Sequence, residues 1–120
     1  MTLAEISREL GLESLTPSLA AAAPGAQVDK AHASDLLSDV LANAPAGGIL
    51  LTIQVHMNVV AVALHAGLAA VVFTSGMEPD EAVRARAVEE KLPLFSTAAS
   101  TFDTAGRLFS MGLRGGASRA

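Results

Sequence analysis

The stretch GILLTIQVHMNVVAVALH (residues 48–65) decides the fold, together with LAAVVFTSG (residues 68–76), which follows it. Leu50–Ile53 and Ala70–Phe73 are short unbroken apolar runs, which is the pattern of strands buried on both faces. Between them, Met57–Leu64 has no polar face, so we predict a helix that is buried nearly all round. A strand, a crossover helix and a second strand make a βαβ unit with a parallel sheet.

The segments after this unit continue the alternation of helix and strand. Glu78–Glu81 predicts a helix start with Pro79 at the first helical position. The residues expected to face the sheet from this helix are Ala85, Val88 and Leu92. Leu92–Ser96 is predicted as the next strand, and Ser100 has a capping-box-like spacing for a last helix. The expected buried face of that last helix is Phe102, Ala105, Leu108 and Phe109.

The N-terminal half gives shorter signals. Thr2 and Glu5 have capping-box spacing for a first helix that ends at Gly11. The buried face of this helix is predicted to be Leu3, Ile6 and Leu10. Residues 20–25 (AAAAPG) predict a surface loop, and a short strand is expected near Val28–His32.

Ser34 is then expected to cap another helix, with Asp35 and Asp39 near its positive N-terminal end. The apolar stripe of this helix is predicted to be Leu36, Leu37, Val40, Leu41 and Ala44. Together the segments predict an α/β fold, a three-layer α/β/α arrangement around a small, mostly parallel sheet. Residues 1–111 are expected to form a single domain, and residues 112–120 a flexible C-terminal tail.

The amino-acid composition argues against several classes of function. The formal net charge of −4 does not provide the basic face that nucleic-acid binding needs, and without Trp or Tyr stacking platforms are nearly absent. The lack of cysteine excludes disulfides, iron–sulfur clusters and thiol nucleophiles. Because neither a signal peptide nor an apolar run of bilayer length is visible, we expect a cytoplasmic protein with no membrane partner.

Polar side chains follow each of the three strands predicted in the second half. Because ligands bind beyond the carboxyl ends of parallel strands, these turns predict a binding cleft at one edge of the sheet. The hydroxyls and backbone N–H groups of Thr74–Gly76 could form an anion cradle. The candidate ligand-binding residues are Gln54, His56, Asn58, Thr74, Ser75, Gly76, Glu78, Ser100 and Thr101.

Each of these signals also has a plain structural explanation. Thr74–Gly76 could be an ordinary turn in which Gly76 supplies a positive φ, and Asn58 and Ser100 could simply cap helices. The three histidines at positions 32, 56 and 65 lack close ligand spacing and a carboxylate partner in sequence, so no metal site is predicted. No Gly-x-Ser-x-Gly elbow is present and no base lies beside a serine. We therefore assign no catalytic residue and favour binding over catalysis.

The order of these segments resembles the DRTGG domain family over roughly residues 28–110. Thr52–Asn58 (TIQVHMN) stands at the family's first polar turn, and Thr74–Asp80 (TSGMEPD) at its Thr-Gly-Gly-x-x-Pro-like loop. Leu92–Phe102 stands at the third segment, and Ser34–Asn43 is similar to the early Asp-Leu-Leu helix. There are three departures from the family pattern. Val55-His56 stands in place of the Asp-Arg pair, Ser75 in place of one residue of the glycine pair, and Ala99-Ser100 in place of the Tyr-Asp pair.

The resemblance implies a fold like the N-terminal domain of HPr kinase. It also implies a regulatory or dimer-forming module of the kind that accompanies CBS-domain pyrophosphatases and phosphotransacetylases. We therefore expect a non-catalytic homodimer that binds an adenine-nucleotide-like ligand and no other cofactor, with phosphate near Gly76 and with base or sugar at His56 and Asn58. Two alternatives stay open. One is an interaction domain for an unidentified protein partner, without a small ligand, and the other is a small hydrolase or transferase.

Overall fold

A computed structural model of the chain describes residues 1–20 and 27–116. The helices are α1 (Leu3–Leu10), α2 (Pro17–Ala20), α3 (Leu37–Asn43), α4 (Asn58–His65), α5 (Glu81–Glu89) and α6 (Thr101–Ser110). The strands are β1 (Glu13–Ser14), β2 (Ala31–Ala33), β3 (Ile49–Thr52), β4 (Ala70–Phe73) and β5 (Leu94–Ser96). Among the described residues, no helix has the length and apolar character that crossing a bilayer requires. The loop predicted at residues 20–25 falls almost entirely outside the described residues.

The strands form one sheet in the order β1-β5-β4-β3-β2, in which β2 to β5 are parallel. The predicted βαβ unit is confirmed, because α4 connects the neighbouring parallel strands β3 and β4. Strand β1 pairs antiparallel with the outer side of β5 and was not expected. Two residues are too short to show a periodicity of their own, so only the pairing partner reveals this strand.

Helices cover both faces of the sheet, which confirms the predicted three-layer fold. On one face, α3, α4 and α5 pack against a layer of strand side chains that includes Leu50 and Val71. On the other face, α1 and α6 pack against Leu51 and Val72. Successive residues of β3 and β4 therefore enter opposite layers, which explains why both strands are apolar except for Thr52 at the end of β3.

Helix α4 is less buried than predicted. Val59, Val60 and Ala63 are buried, but Met57 and Leu64 are 38% and 37% exposed. The sheet and the neighbouring helices α3 and α5 cover one side of α4 and leave a strip of apolar side chains at the surface. An apolar composition all round the helix therefore does not mean burial all round it.

The predicted buried face of α5 is wrong. The helix begins after Asp80, whose side chain caps it, and not at Pro79. Val83 and Ala87 are its buried residues, while Ala85 and Val88 are exposed. Alanine and valine occur all round this helix, so the hydrophobic period could not select the correct face. Beyond the helix, Leu92 is buried as expected.

The predicted buried face of α6 is wrong for two of its four residues. Leu108 is buried and Ala105 packs against the same core layer as expected, but Phe102 is 85% and Phe109 59% exposed, and Thr104 points into the core instead. The Thr104 hydroxyl donates to the Ser100 carbonyl oxygen at 2.8 Å. A threonine satisfied in this way can face the core without an unpaired polar group, which the apolar pattern alone does not reveal.

The start of the chain follows the prediction closely. The Glu5 N–H donates to the Thr2 hydroxyl at 3.1 Å, and the Thr2 N–H donates to the Glu5 carboxylate at 2.9 Å, so the capping box of α1 is confirmed. Gly11 ends the helix in the left-handed conformation, with φ of 62°. Ile6 and Leu10 are buried, and Leu3 packs against the same core layer.

Helix α3 departs from the prediction at its start and on its apolar face. Ser34 is not its cap, because the helix begins at Leu37 with Leu36 in the capping position and no side-chain cap. Leu36 and Leu41 are exposed, and Val40 is the buried residue. The Ser34 hydroxyl instead accepts from the Leu36 N–H at 3.2 Å, in a turn before the helix.

The packed part of the chain continues past residue 111, where a flexible tail was expected. Leu113 is buried, and the Ala31 N–H donates to the Arg114 carbonyl oxygen at 2.9 Å beside β2. The expectation of a flexible tail is therefore wrong for residues 112–116, and residues 117–120 lie outside the described part of the chain. Leu113 is a single apolar residue among glycines, so the sequence pattern did not indicate that it is buried.

Gly48 lies where β2 and β3 begin to pair. A Cβ atom at this position would lie 3.0 Å from the Pro45 carbonyl oxygen and 3.1 Å from the Lys30 carbonyl oxygen. Both oxygens already accept backbone hydrogen bonds, from the N–H groups of Gly48 and Ile49. The chain segments can therefore approach this closely because residue 48 has no side chain.

Candidate ligand-binding site

The carboxyl ends of β3, β4 and β5 meet at one edge of the sheet. Their last residues, Thr52, Phe73 and Ser96, lie opposite one another in the register. The turns 53–57, 74–80 and 97–100 follow these strands and lead into α4, α5 and α6. We call this group of turns, with the first helical turns they lead into, the carboxyl edge. All nine residues predicted to bind a ligand lie in it.

The turn after β4 is linked to the turn after β5 through groups that were expected to bind phosphate. The Ser75 N–H donates to the Ala99 carbonyl oxygen at 2.8 Å, and the Gly76 N–H donates to that of Thr97 at 2.9 Å. Ser75 and Gly76 both adopt positive φ, at 58° and 73°. Because these two N–H groups are already paired, the prediction that they form a phosphate cradle is wrong.

Thr74 belongs to the same link between turns. Its side chain is fully buried, and its hydroxyl oxygen lies 2.5 Å from that of Thr101, at the start of α6. Ser100, the residue before, caps α6 by accepting the Asp103 N–H at 3.1 Å. These three side chains position α6 relative to β4, and Thr74 does not face the solvent.

The turn after β3 is organised by Asp35, which was expected only to favour a helix N-terminus. One oxygen of its carboxylate, Oδ1, accepts from the buried Thr52 hydroxyl at 2.9 Å and from the Ile53 N–H at 2.8 Å. The Thr52 hydroxyl in turn accepts from the Gln54 N–H at 3.0 Å. No local spacing connects Asp35 with a strand end 17 residues away, so sequence reasoning missed this role.

His56 satisfies the first backbone N–H of α4 from the turn before it, whereas Asn58 was considered as the cap and is the first helical residue, with Met57 at the N-cap position. The His56 Nδ1 atom accepts from the Asn58 N–H at 3.1 Å, and its own N–H donates to the Gln54 side-chain oxygen at 3.2 Å. In the neutral ring the proton therefore lies on Nε2, which is the nitrogen that a ligand can meet. The side chains of His56 and Asn58 are both exposed.

Comparison with known proteins gives a match to one family. Residues 56–111, which include the turns after β4 and β5, match the DRTGG domain family. The chain is similar to that family over just under half of its length. This match confirms the resemblance that the order of the segments indicated.

The fold of the chain is also similar to a solved structure. That structure contains the CBS and DRTGG domains of the regulatory region of Clostridium perfringens pyrophosphatase, complexed with its activator diadenosine tetraphosphate. The TM-score is 0.70 at 17% sequence identity, and the similarity covers 93% of this chain. It covers 47% of the pyrophosphatase chain, so the present chain spans about half of that structure. No curated protein matches the sequence.

The carboxyl edge is acidic. Glu78, Asp80 and Glu81 lie around the start of α5, and Asp35 lies beside the turn after β3. Among the described residues of the edge, Arg84 is the cation, and its guanidinium lies 2.6 Å from the Glu78 carboxylate. The Arg84 Nε group also donates to the Pro79 carbonyl oxygen at 3.3 Å. An anionic ligand at this edge would therefore compete with Glu78 for Arg84.

The chain also contains a histidine–aspartate pair that the sequence did not indicate, outside the residues that match the DRTGG family. His32 Nε2 on β2 lies 2.8 Å from Asp39 Oδ2 on α3, so His32 does have a carboxylate partner. The side-chain amide of Asn43 donates to the other Asp39 oxygen at 2.8 Å. Hydrogen bonds from Asn43, His32 and Ser34 lower the pKa of Asp39 to about 2. This pair contains none of the predicted ligand-binding residues.

Proposed function

We propose that this chain is a non-catalytic regulatory module that binds an adenine-nucleotide-like phosphate ligand at the carboxyl edge and acts as a homodimer. The similarity of fold carries the proposal, because 93% of the chain superposes on a regulatory region crystallised with the activator diadenosine tetraphosphate. The convergence of three polar turns at one edge supports a ligand in the same place.

The hydrogen-bond pattern suggests how such a ligand would be held. His56 Nε2 and the side-chain amide of Asn58 are exposed and would contact the base or the sugar. Since the Ser75 and Gly76 N–H groups are paired within the protein, the phosphate would bind the Arg84 guanidinium and the exposed Ser75 hydroxyl. Binding then requires Arg84 to exchange its Glu78 partner for the phosphate.

A thermal-shift titration with AMP, ADP, ATP and diadenosine tetraphosphate tests the ligand. A compound that binds only the folded state stabilises it by about 2.7 kcal/mol at 100 times its dissociation constant. For a domain of this size, that corresponds to a shift in Tm of several degrees. Inorganic triphosphate is the control for the adenosine part, and it should produce a smaller shift than ATP.

Two pairs of variants locate the site. His56→Ala and Arg84→Gln should each reduce the nucleotide-dependent shift, measured against the Tm of the same variant without ligand. His65→Ala, at the opposite end of α4, and Arg86→Gln, on the solvated side of α5, are the matched controls and should retain it. An undiminished shift in His56→Ala and Arg84→Gln would show that the ligand binds elsewhere.

The surface of α6 supports the proposed homodimer. The same surface supports the alternative of a pure interaction domain if no nucleotide binds. Phe102 and Phe109 lie two turns apart on one face of the helix, and both are exposed. Gly106 lies between them, and a Cβ atom there would contact nothing within 4 Å. A helix from a second copy could therefore approach closely at Gly106 while the two rings pack around it. No shift with any nucleotide, together with a stable dimer, would favour this alternative.

A further inference from the structure

A cavity lies on the α1 side of the sheet, and none of the nine predicted ligand-binding residues lines it. Its volume is about 420 Å³, within the range of cavities that hold small organic ligands. Helix α1, the segment 11–16, Leu19 and the start of β5 enclose it. The cavity is therefore separate from the carboxyl edge and from the function proposed above.

The walls of the cavity are mostly apolar. Leu3 and Leu12 contribute from α1 and the segment after it, Leu19 from the other side, and Pro93 and Phe95 from β5 and the residue before it. Leu3, Leu12 and Phe95 also belong to the core layer beneath α1, so the cavity continues the hydrophobic core toward the surface. An apolar body of a ligand would be well accommodated there.

Polar side chains also line this cavity. Arg8 lines it, and no described carboxylate forms an ion pair with the Arg8 guanidinium. The Thr16 hydroxyl accepts from the Leu94 N–H at 3.1 Å, and the Ser14 hydroxyl accepts from the Thr16 N–H at 3.3 Å. Both hydroxyls use an acceptor site in these bonds, so among the described residues their hydrogen atoms stay available to an acceptor in the cavity.

We propose that this cavity binds a small amphipathic carboxylate, with an apolar chain or ring along Leu12 and Phe95 and its carboxylate on Arg8. The planar guanidinium can pair with a carboxylate through two parallel hydrogen bonds, and the Ser14 and Thr16 hydroxyls supply further donors. A single arginine balances one negative charge, which fits a carboxylate better than a nucleotide polyphosphate. A medium-chain fatty acid has the required size and polarity.

Sodium octanoate is the probe, titrated below its micelle concentration into the ¹⁵N-labelled full chain. We expect saturable chemical-shift changes at the amides of Gly11, Leu12 and Leu19. Octanol should bind about tenfold more weakly, because it lacks the charge that Arg8 recognises, and octylamine should not bind. An octanol affinity equal to that of octanoate, or shifts that never saturate, would overturn the proposal.

Two variants and their matched controls complete the test. Arg8→Gln should weaken octanoate binding to the level of octanol and leave octanol binding unchanged, whereas Arg86→Gln on α5 should change neither. Ala4→Trp fills the cavity from α1 and should abolish both, whereas Ala85→Trp on the exposed side of α5 should not. If Ala4→Trp does not fold, nuclear Overhauser effects between octanoate and the Phe95 ring in the wild-type protein decide the same question. Octanoate binding unaffected by Arg8→Gln, or absence of those contacts, would refute the site and leave the nucleotide proposal untouched.

Discussion

At the scale of single residues, Asp35 is an exposed residue whose carboxylate holds the turn after β3 in place. We expect Asp35→Ala to lower the free energy of unfolding by about 2 kcal/mol. The reason is that two charge-assisted hydrogen bonds are lost and the buried Thr52 hydroxyl loses its acceptor. Urea unfolding followed by circular dichroism measures the change.

Asp35→Asn is the matched control for this prediction. It keeps an oxygen at the position that accepts from Thr52 and Ile53 but removes the charge, so we expect it to cost about half as much. Equal losses in the two variants would mean that the hydrogen-bond geometry is not what stabilises the turn.

Asp39 gives a prediction for the dependence of stability on pH. Hydrogen bonds from Asn43, His32 and Ser34 hold its pKa at about 2 in the folded state. A carboxyl group whose pKa is lowered by folding stabilises the protein above its unfolded pKa, and this contribution is lost as the pH falls through the folded value. We therefore expect stability to decrease from about pH 4, near the ordinary Asp pKa, down to about pH 2.

An NMR titration of the Asp39 carboxyl carbon checks the cause of this effect. Asn43→Ala removes the hydrogen bond that lowers the pKa of Asp39 most, so it should raise that pKa and make the acid-dependent loss smaller. An Asp39 carboxyl group that titrates at the ordinary aspartate pKa in the wild-type protein would contradict the prediction.

Single residues were predictable where a short spacing determines their role. The capping interactions of Thr2 with Glu5 and of Ser100 with the Asp103 N–H follow from three-residue separations. The pairing of the Ser75 N–H with the Ala99 carbonyl oxygen joins turns that follow different strands, and no sequence pattern encodes that pairing. The sequence therefore predicted where the candidate site lies. It did not predict which hydrogen-bonding groups there are already paired within the protein.

At the scale of elements, α6 presents a surface that a partner can cover. Phe102 is largely exposed, and the Arg114 guanidinium lies 3.7 Å from the centre of the Phe109 ring. We expect Phe102→Glu to convert a dimer into a monomer without unfolding it, because the side chain makes few contacts within the protomer and a charge there would be buried on association. Size-exclusion chromatography with light scattering measures the change in mass.

Val88→Glu on α5 is the control for this experiment. Val88 is an apolar residue that is also exposed, but it lies on the helix layer opposite α6. We expect the Val88→Glu protein to keep the wild-type mass. A wild-type protein that is monomeric at all concentrations would refute the homodimer.

Elements differed in how far they could be predicted. The run Ala70–Phe73 is a strand with the bounds that the sequence indicated, because both of its faces are buried and its neighbours are turns. The predicted buried faces of α5 and α6 were wrong for two separate reasons. In α5, small apolar residues occur on every side of the helix, so the pattern did not select one face. In α6, the Thr104 hydroxyl is satisfied within its own helix, so this polar residue can face the core.

At the scale of the whole molecule, the proposed ligand site and the proposed dimer surface are neighbours. Thr101, whose hydroxyl contacts that of the buried Thr74, immediately precedes Phe102 on α6. The Ser75 and Gly76 N–H groups also hold the turn after β5, which leads into α6, through their hydrogen bonds to its carbonyl oxygens. The three-layer order was predictable from the alternation of strands and helices, but this adjacency was not, because the sequence pattern placed Phe102 on a buried face and the structure exposes it.

The close approach of the chain around Gly48 has a consequence for how this sequence can vary. A methyl group at residue 48 would lie 3.0 Å and 3.1 Å from two carbonyl oxygens that are held in place by their own hydrogen bonds, so even the smallest substitution forces the segments around β2 and β3 to shift. In a library of random variants selected for folding alone, we therefore expect alanine at position 48 to be as rare as the bulkier residues. Selection at this position acts on the absence of a side chain, which the packing of the backbone requires. It would therefore persist in a descendant that had lost every ligand and every partner.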